Sequence, residues 1–443
     1  MRRQIFTFAL LAAMSLPCRA MSVEEVSALA RLAAGGDAAA RAALLEAVSR
    51  RNADAEYAAA RLVYAGQGFK ADMGQARRLA ERAASRGHVA AQNMLGFLWQ
   101  YGLGGERDLV EARRLYEQAA GAGNVDAQVN LGWLYQEGLG VDRDAAAAAQ
   151  WYGKAAGSGS SAAMLNLGAL NEEVLRKPAA AADWYEKAAA HGMTSADLRL
   201  AKMIEAGNGR RKDARQALAH YLKAAEAGFG EAQIAAARLF DSNAAGPRRP
   251  ALALRWYEEA ARIPDADAAY HSALLRLSPD AGKPDAAAAL AHFRTAATLG
   301  HAESQYRLAL ELRSAGDAAG AAGWLRKAAE RKHPAAMLLY AQVLERGDGV
   351  RADAAAALEW YRRAGDLGDP EALYSLGRFY EGGIGTSSDS RRAMQYFVMA
   401  AEKGHVGAKD VLEGIFGAPP DPDARDRTFG APTPFGAPSP LTR

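Results

Sequence analysis

Cysteine is nearly missing from the chain: one residue, Cys18, in 443. A single thiol builds neither a disulfide framework nor a cysteine-based metal cluster. Alternating β-branched segments are missing too, and the abundance of alanine favours helix, so no appreciable sheet is expected. Neither sign of charge dominates. The formal net charge is +3, and loss of the first twenty residues would remove Arg2, Arg3 and Arg19 but no acid, bringing the 54 basic residues level with the 51 acidic ones. A neutral chain lacks the concentrated Lys and Arg that a nucleic-acid backbone demands, so no nucleic-acid partner is expected.

Catalytic signatures are equally scarce. The sequence contains no His-x-x-x-His pair, no phosphate loop ending in Gly-Lys-Ser/Thr, no Ser-x-x-Lys and no Gly-x-Ser-x-Gly. No enzymatic activity, no metal and no cofactor are therefore expected. Residues 1–20, MRRQIFTFALLAAMSLPCRA, instead carry an arginine pair, an apolar run from Ile5 to Leu16, Pro17 and the small residue Ala20. That layout is a secretory signal peptide, since a bilayer-spanning helix needs ~20 apolar residues. The alternative is an uncleaved signal that anchors the chain. Ser15-Leu16-Pro17 before Cys18 does not match a lipoprotein cleavage box.

What the chain has in abundance is repetition. WYGKAAG at 151–157 returns as WYEKAAA at 184–190, WYEEAAR at 256–262 and WYRRAGD at 360–366. The first alanine of this phrase marks Ala83, Ala119, Ala155, Ala188, Ala224, Ala260, Ala296, Ala328, Ala364 and Ala400, with gaps of 36, 36, 33, 36, 36, 36, 32, 36 and 36. One structural unit of about 36 residues is stacked about ten times. Each unit reads as two helices: in 126–138 Ala127, Leu131 and Leu134 recur at helical spacing, and in 144–158 so do Ala148, Trp151, Tyr152 and Ala155. Between them Gly138 and Gly140 permit positive φ, and Asp142 or Asp144 can cap the second helix. A hairpin of this kind cannot cover its own apolar face and must lean on its neighbours.

One first-helix position is always small: Gly96, Gly132, Gly168, Ala201, Ala237, Ala273, Ala309, Ala341 and Gly377, until Glu413 breaks the series. A small residue there would let neighbouring helix backbones approach closely. The Gly-x-Gly loops (Gly66/Gly68, Gly102/Gly104, Gly138/Gly140, Gly207/Gly209, Gly347/Gly349), the Leu-Gly step and the Trp-Tyr-x-Lys-Ala-Ala phrase resemble the Sel-one-like repeat family, a longer-looped relative of the tetratricopeptide repeat. The resemblance implies an all-α, right-handed α-α solenoid. Its organisation would be a signal peptide at 1–20, capping helices at 21–51, repeats over 52–416 with a closing helix at 407–416, and a Pro/Gly-rich disordered tail at 417–443. Loops at 171–178, 241–250, 278–284 and 314–317 lack the Gly-x-Gly form, and a hinge is expected near Pro247 to Pro250.

The residues that suggest chemistry have local explanations. His88, His301, His333 and His405 stand where Asn124, Asp265 and Asp369 stand in other repeats, and are read as helix-entry residues meeting free N–H groups. Trp151, Trp184, Trp256, Trp324 and Trp360 are read as filling between helix layers, with an exposed saccharide strip as the alternative. In tetratricopeptide-type solenoids the first helices line a concave groove, so by resemblance the variable positions there face a ligand: Met94, Phe97, Asn130, Trp133, Asn166, Arg199, Lys202, Arg238, His271 and Arg307. From Asn130 to Arg307 they form an amide and basic lane suited to a carboxylate or acidic segment of a protein or peptide partner. The tail repeats Phe-Gly-Ala-Pro three times, and Phe416, Phe429 and Phe435 are candidate docking residues beside the reading as a plain linker.

The resemblance and the leader together imply an exported, non-enzymatic scaffold or adaptor that binds proteins, in the bacterial periplasm or anchored to the inner membrane facing it, serving envelope assembly or signalling. A monomer is expected. The alternatives are an enzyme acting on cell-wall material or antibiotics, and a saccharide-binding module using exposed tryptophans.

Overall fold

Alternating aspartates and glycines punctuate the chain into helices. The structure is a computed structural model that describes residues 21–416, and those residues hold 23 α-helices and no strand. They divide into two compact units, one ending at Ala232 and the other beginning at Gln233. The division falls inside a helix, not at the Pro247–Pro250 loop where the sequence suggested a hinge.

Unit one holds α1 (Val23–Ala34), α2 (Ala38–Ser49), α3 (Ala53–Ala65), α4 (Met73–Ser85), α5 (Val89–Tyr101), α6 (Leu109–Gly121), α7 (Val125–Glu137), α8 (Ala145–Gly157), α9 (Ser161–Ala169), α10 (Pro178–Ala190), α11 (Thr194–Ala206) and α12 (Ala214–Glu226). Helix α13 (Gly230–Asp241) straddles the boundary. Unit two continues with α14 (Pro250–Ala260), α15 (Ala266–Leu277), α16 (Ala286–Thr298), α17 (Ala302–Ser314), α18 (Ala318–Glu330), α19 (Pro334–Arg346), α20 (Ala354–Asp366), α21 (Pro370–Gly382), α22 (Ser390–Glu402) and α23 (Val406–Phe416). Within each unit, successive helices pack as antiparallel hairpins, the α-α solenoid arrangement.

The local chemistry sets each boundary. Asp144, not Asp142, caps α8, accepting from the N–H groups of Ala146 and Ala147 at 2.9 Å each. Gly138 closes α7 in the left-handed region at φ 72°. Two residues on, Gly140 has φ 67° and lies so close to the start of α6 that a Cβ there would sit 2.5 Å from the Leu109 carbonyl oxygen. From Gly104 onward the second loop glycine thus seats its loop on the start of the preceding second helix, whereas Gly68 meets the Ala33 carbonyl at the end of α1. Gly383 and Gly385, absent from the sequence reading, form a further pair of this kind. Where the repeat shortens to 33 residues, the loop is replaced by a π-turn over Leu170–Val174 that extends α9. It brings the Glu172 carboxylate to 2.7 Å from the Tyr185 hydroxyl.

The small first-helix residue serves a purpose other than the one the sequence suggested. It chiefly receives the aromatic ring of the second helix in its own hairpin, and at Gly96 the Ala112 carbonyl oxygen of that helix also comes within 3.2 Å of where a Cβ would sit. Cβ atoms added at Gly96, Gly132, Gly168 and Gly377 would lie 2.8, 2.7, 2.4 and 2.5 Å from the rings of Tyr116, Tyr152, Tyr185 and Phe397. Those rings are fully buried. The tyrosine hydroxyls then reach the last turn of the first helix: Tyr116 donates to Gln100 at 2.8 Å, Tyr221 to Glu205 at 2.8 Å and Tyr361 to Glu345 at 2.6 Å. Burial pushes the Tyr116, Tyr152, Tyr185 and Tyr361 phenols well above their ordinary range, so they stay protonated donors.

Two substitutions separate this contact from helix propensity. Gly132→Ala is expected to destabilise by ~1–3 kcal/mol, because its methyl overlaps the Tyr152 ring in a packed core. Gly153→Ala, in mid-helix with nothing within 4 Å, is expected to stabilise by up to ~1 kcal/mol. Urea unfolding midpoints measure both, and a harmless Gly132→Ala contradicts the ring-seat account.

Candidate functional site

The first helices are held in register by their caps. His88, His301, His333 and His405 each use Nδ1 to accept the N–H three residues on, at 3.1, 3.2, 3.2 and 3.1 Å, as Asn124 and Asp369 do with side-chain oxygens. Each imidazole also packs on an aromatic ring of the preceding first helix: His88 on Tyr57, His301 on Tyr270, His333 on Tyr306 and His405 on Tyr374, with centroids 4.6, 4.1, 4.7 and 4.3 Å apart. The remaining Nε2 points at a carboxylate one turn earlier on that helix, Asp54 at 3.3 Å, Asp267 at 3.9 Å, Glu303 at 2.8 Å and Glu371 at 3.0 Å. Histidine suits this position because a single ring caps one helix and bonds to the previous one.

In unit one the faces of α1, α3 and α5 enclose a groove of about 850 Å³, reached at one edge by Asn130 of α7. Its walls are largely apolar and aromatic. Tyr57, Tyr64, Met94 and Phe97 line it, with Phe97 edge-on to Tyr64 at 6.2 Å and against Tyr101 at 4.8 Å. Asn130 donates to the Asn93 side chain at 3.0 Å, so two amides form a rung between repeats. Arg31 and Arg61 also line the groove; Arg61 lies 5.8 Å from the centre of the Tyr57 ring, and neither arginine has a carboxylate partner among the described residues. Met94, Phe97 and Asn130 are therefore brought together as the sequence suggested. Arg31, Tyr57, Arg61, Tyr64 and Asn93 were missed: Arg61 holds the Phe97 register one unit earlier, Tyr57 and Asn93 share a neighbouring register that the sequence reading did not follow, and reading 21–51 as a mere cap hid Arg31.

The rest of the anticipated lane is arranged differently. Trp133 and Asn166 are half-buried in unit one. Arg199 is held by Glu173 at 3.2 Å and Glu172 at 3.7 Å, and Lys202 by Glu231 at 2.5 Å. In unit two, His271 stacks on Tyr257 at 5.0 Å, Arg238 lies close enough to Tyr257 to act on its phenol, and Arg307 pairs with Glu303 at 2.6 Å. Acids have paired with Arg199, Lys202 and Arg307, so these three are not bare cations. Such exposed pairs are worth only ~0–1 kcal/mol each.

The tryptophans correct another expectation. The tyrosine of each Trp-Tyr pair is the core residue; Trp151, Trp184, Trp324 and Trp360 are only half-buried, and Trp256 alone of the five is fully covered. Each half-buried indole carries a cation three residues on: Lys154 at 3.9 Å, Lys187 at 4.0 Å, Lys327 at 4.0 Å and Arg363 at 4.5 Å from the ring centre. Their faces are roofed, not open. The tail candidates Phe429 and Phe435, the Phe416 side chain and the leader at 1–20 lie outside the described residues. Among those described, no three His, Cys, Asp or Glu side chains converge as metal ligands, and no helix is long and apolar enough to cross a membrane.

Comparison with known proteins matches this architecture. The profile described as "Sel1 repeat" matches ten consecutive segments, 53–88, 89–124, 125–160, 161–193, 194–229, 231–263, 266–301, 302–333, 334–369 and 370–405. Among solved structures, c5321, described as a protective antigen of uropathogenic Escherichia coli strains displaying an SLR fold, is 28% identical with a TM-score of 0.68, covering 89% of this chain and 87% of its own. A Sel1 repeat protein from Oxalobacter formigenes is also 28% identical, with a TM-score of 0.44 over 54% of this chain and 96% of its own. No curated protein sequence matches significantly.

The clip at His301 and the Glu303 carboxylate make stability depend on pH. Burial holds the His301 imidazole below its ordinary 6.5, with His271 and His333 adding to that and Asp267 opposing it. Burial raises the Glu303 carboxyl, but hydrogen bonds from His333 and Arg307 outweigh it and bring the group below 4.5. The His301 contribution is therefore complete above 6.5 and is lost as pH falls through its lowered folded value. That of Glu303 persists above 4.5 and disappears as pH falls through its own. Calorimetric Tm should fall in these two stages on acidification, and His301→Asn, which retains a capping oxygen, should flatten the first. A variant as steep as the parent between about pH 7 and pH 5.5 contradicts the assignment.

Proposed function

The chain belongs to the Sel1 repeat family, a protein–protein interaction fold, and on that footing we propose that it is an exported, non-enzymatic adaptor holding an extended segment of another protein in the groove of unit one. The observation that carries this reading is the chemistry of that groove: aromatic and apolar walls, the Asn93–Asn130 rung, and two arginines with no carboxylate partner among the described residues, the groove's own Asp54 being engaged by His88 at 3.3 Å. Aromatic walls give an extended peptide apolar contact at low entropic cost, amides can bond to its backbone, and Arg31 and Arg61 favour an acidic side chain beside it. The signal-like layout of residues 1–20 and the family resemblance support a bacterial periplasmic setting for such an adaptor, in envelope assembly or signalling. The saccharide reading requires open indole faces, and the cations over Trp151, Trp184, Trp324 and Trp360 count against it.

In-cell crosslinking with mass spectrometry tests the groove. A protein captured by the parent should be lost at least about tenfold by Met94→Glu/Phe97→Glu, since burying one such side chain is worth ~1.5–3 kcal/mol and 1.4 kcal/mol is a factor of ten. The quadruple variant Arg199→Glu/Lys202→Glu/Arg238→Glu/Arg307→Glu should retain the capture. The opposite pattern, with both variants folded by circular dichroism, moves the binding site to the anticipated lane.

Export has its own readout. N-terminal sequencing of protein recovered from the periplasm should begin at Met21. An intact N-terminus in the membrane fraction would establish the anchored form instead.

A further inference from the structure

A second site emerges from comparing one register across repeats. The fourth residue of the first helix, the tenth of the second helix and the residue closing that second helix meet in the hairpins α3/α4 and α17/α18. In α3 and α4 they are Glu56, Arg82 and Arg86. The Glu56 carboxylate is fully buried, with one oxygen 2.6 Å from Arg82 and the other 2.8 Å from Arg86. In α11 and α12 the same register again places an acid by a cation: Asp197, 2% exposed, lies 2.7 Å from His220 and 3.8 Å from Lys223.

In α17 and α18 the cations remain but the acid is gone. Gln305 stands where Glu56 does, with Lys327 and Arg331 in place of Arg82 and Arg86. Gln305 is 3% exposed; its amide N–H donates to the Ala297 carbonyl at 3.0 Å, and its Oε1 is buried with no partner. Lys327 lies over Trp324, and Arg331 lies over Gly300, whose lack of a side chain leaves room for it. Neither cation has an internal carboxylate among the described residues; Glu330 at the rim is paired with Arg326 at 3.7 Å. These groups line a cavity of about 420 Å³, within the ~300–1,000 Å³ range of small-ligand pockets.

We propose that this cavity binds the C-terminal residue of a peptide, its carboxylate between Lys327 and Arg331 in the manner of Glu56 and its amide N–H donating to Gln305 Oε1. Each element of the ligand answers a group that the fold leaves incomplete: two cations without a carboxylate and one buried acceptor. A buried acceptor left unpaired is costly, and a carboxylate between two cations makes strong charge-assisted bonds. Unit one offers an internal control: Gln128 has the same unpaired Oε1, with Lys154 beside Trp151, but Ser158 replaces the second cation. The site is built from α16, α17 and α18 of unit two and shares no residue with the groove in unit one.

Isothermal titration of the full chain with N-acetyl-leucine tests the proposal, using N-acetyl-leucinamide and free leucine as comparison arms. N-acetyl-leucine should bind at least about tenfold more tightly than either, since the amide lacks the carboxylate and leucine brings an ammonium toward two cations. Gln305→Glu should abolish binding by supplying the internal acid that Glu56 supplies in its own repeat. Gln305→Met, which places there the residue found in this register at Met164 and Met337, should weaken binding several-fold. If Gln305→Glu fails to fold, Lys327→Gln/Arg331→Gln, at two exposed positions, should abolish binding likewise. Absence of heat with N-acetyl-leucine at about 10 mM overturns the site, as does unchanged affinity in the folded Gln305→Glu or Lys327→Gln/Arg331→Gln protein. Equal affinity for leucine overturns the peptide assignment.

Discussion

The contact on which the rest depends is an aromatic ring lying on the backbone of a small residue. Tyr152 on Gly132 shows it most simply: the ring occupies the space where a side chain would be, and its hydroxyl reaches Gln136 at 3.3 Å. The ring brings the two helices of a hairpin close, and its hydroxyl limits how far one can slide along the other. Burial keeps the phenol protonated, so the bond to the last turn of the first helix survives across the ordinary pH range. Alanine serves in place of glycine in the middle repeats, and leucine replaces the ring at Leu325. The theme is a large residue against a small one.

Hairpins built in this way still need a rule for stacking, and two devices supply it. The second glycine of every Gly-x-Gly loop after the first touches the start of the preceding second helix, and the histidine caps reach back to the preceding first helix. Both act between adjacent repeats only, which is the nearest-neighbour logic of a repeat protein. A consequence is that most side chains capable of chemistry are already engaged. His88, His301, His333 and His405 cap helices, Arg199, Lys202 and Arg307 face acids, and the half-buried tryptophans lie under cations. What remains incomplete marks where a partner has something to offer: Arg31 and Arg61 in the aromatic groove of unit one, and Gln305, Lys327 and Arg331 in unit two.

Much of this was legible in the sequence, and some of it was not. The hairpin period, the αL glycines at Gly138 and Gly140 and the capping role of the four histidines follow from rules that operate within a few residues. The ring seat was half visible: the small residues were recognised, but their occupant was not, because Gly132 and Tyr152 lie on different helices and no periodicity links them. The aromatic groove was found only from one side, through Met94, Phe97 and Asn130, since its other wall comes from α1 and α3.

The sequence by itself determined the class of the molecule, helical hairpins repeated every ~36 residues, because caps, turn glycines and a 3.6-residue period are local and are written ten times over. Only the tertiary structure decided which charges are spent on internal pairs and which are left. A cation cannot announce from sequence whether the acid thirty residues away faces it. Glu56 and Gln305 differ by one functional group and occupy the same register, yet one fills its site and the other leaves it open. That difference became meaningful only when packing placed two cations around each of them.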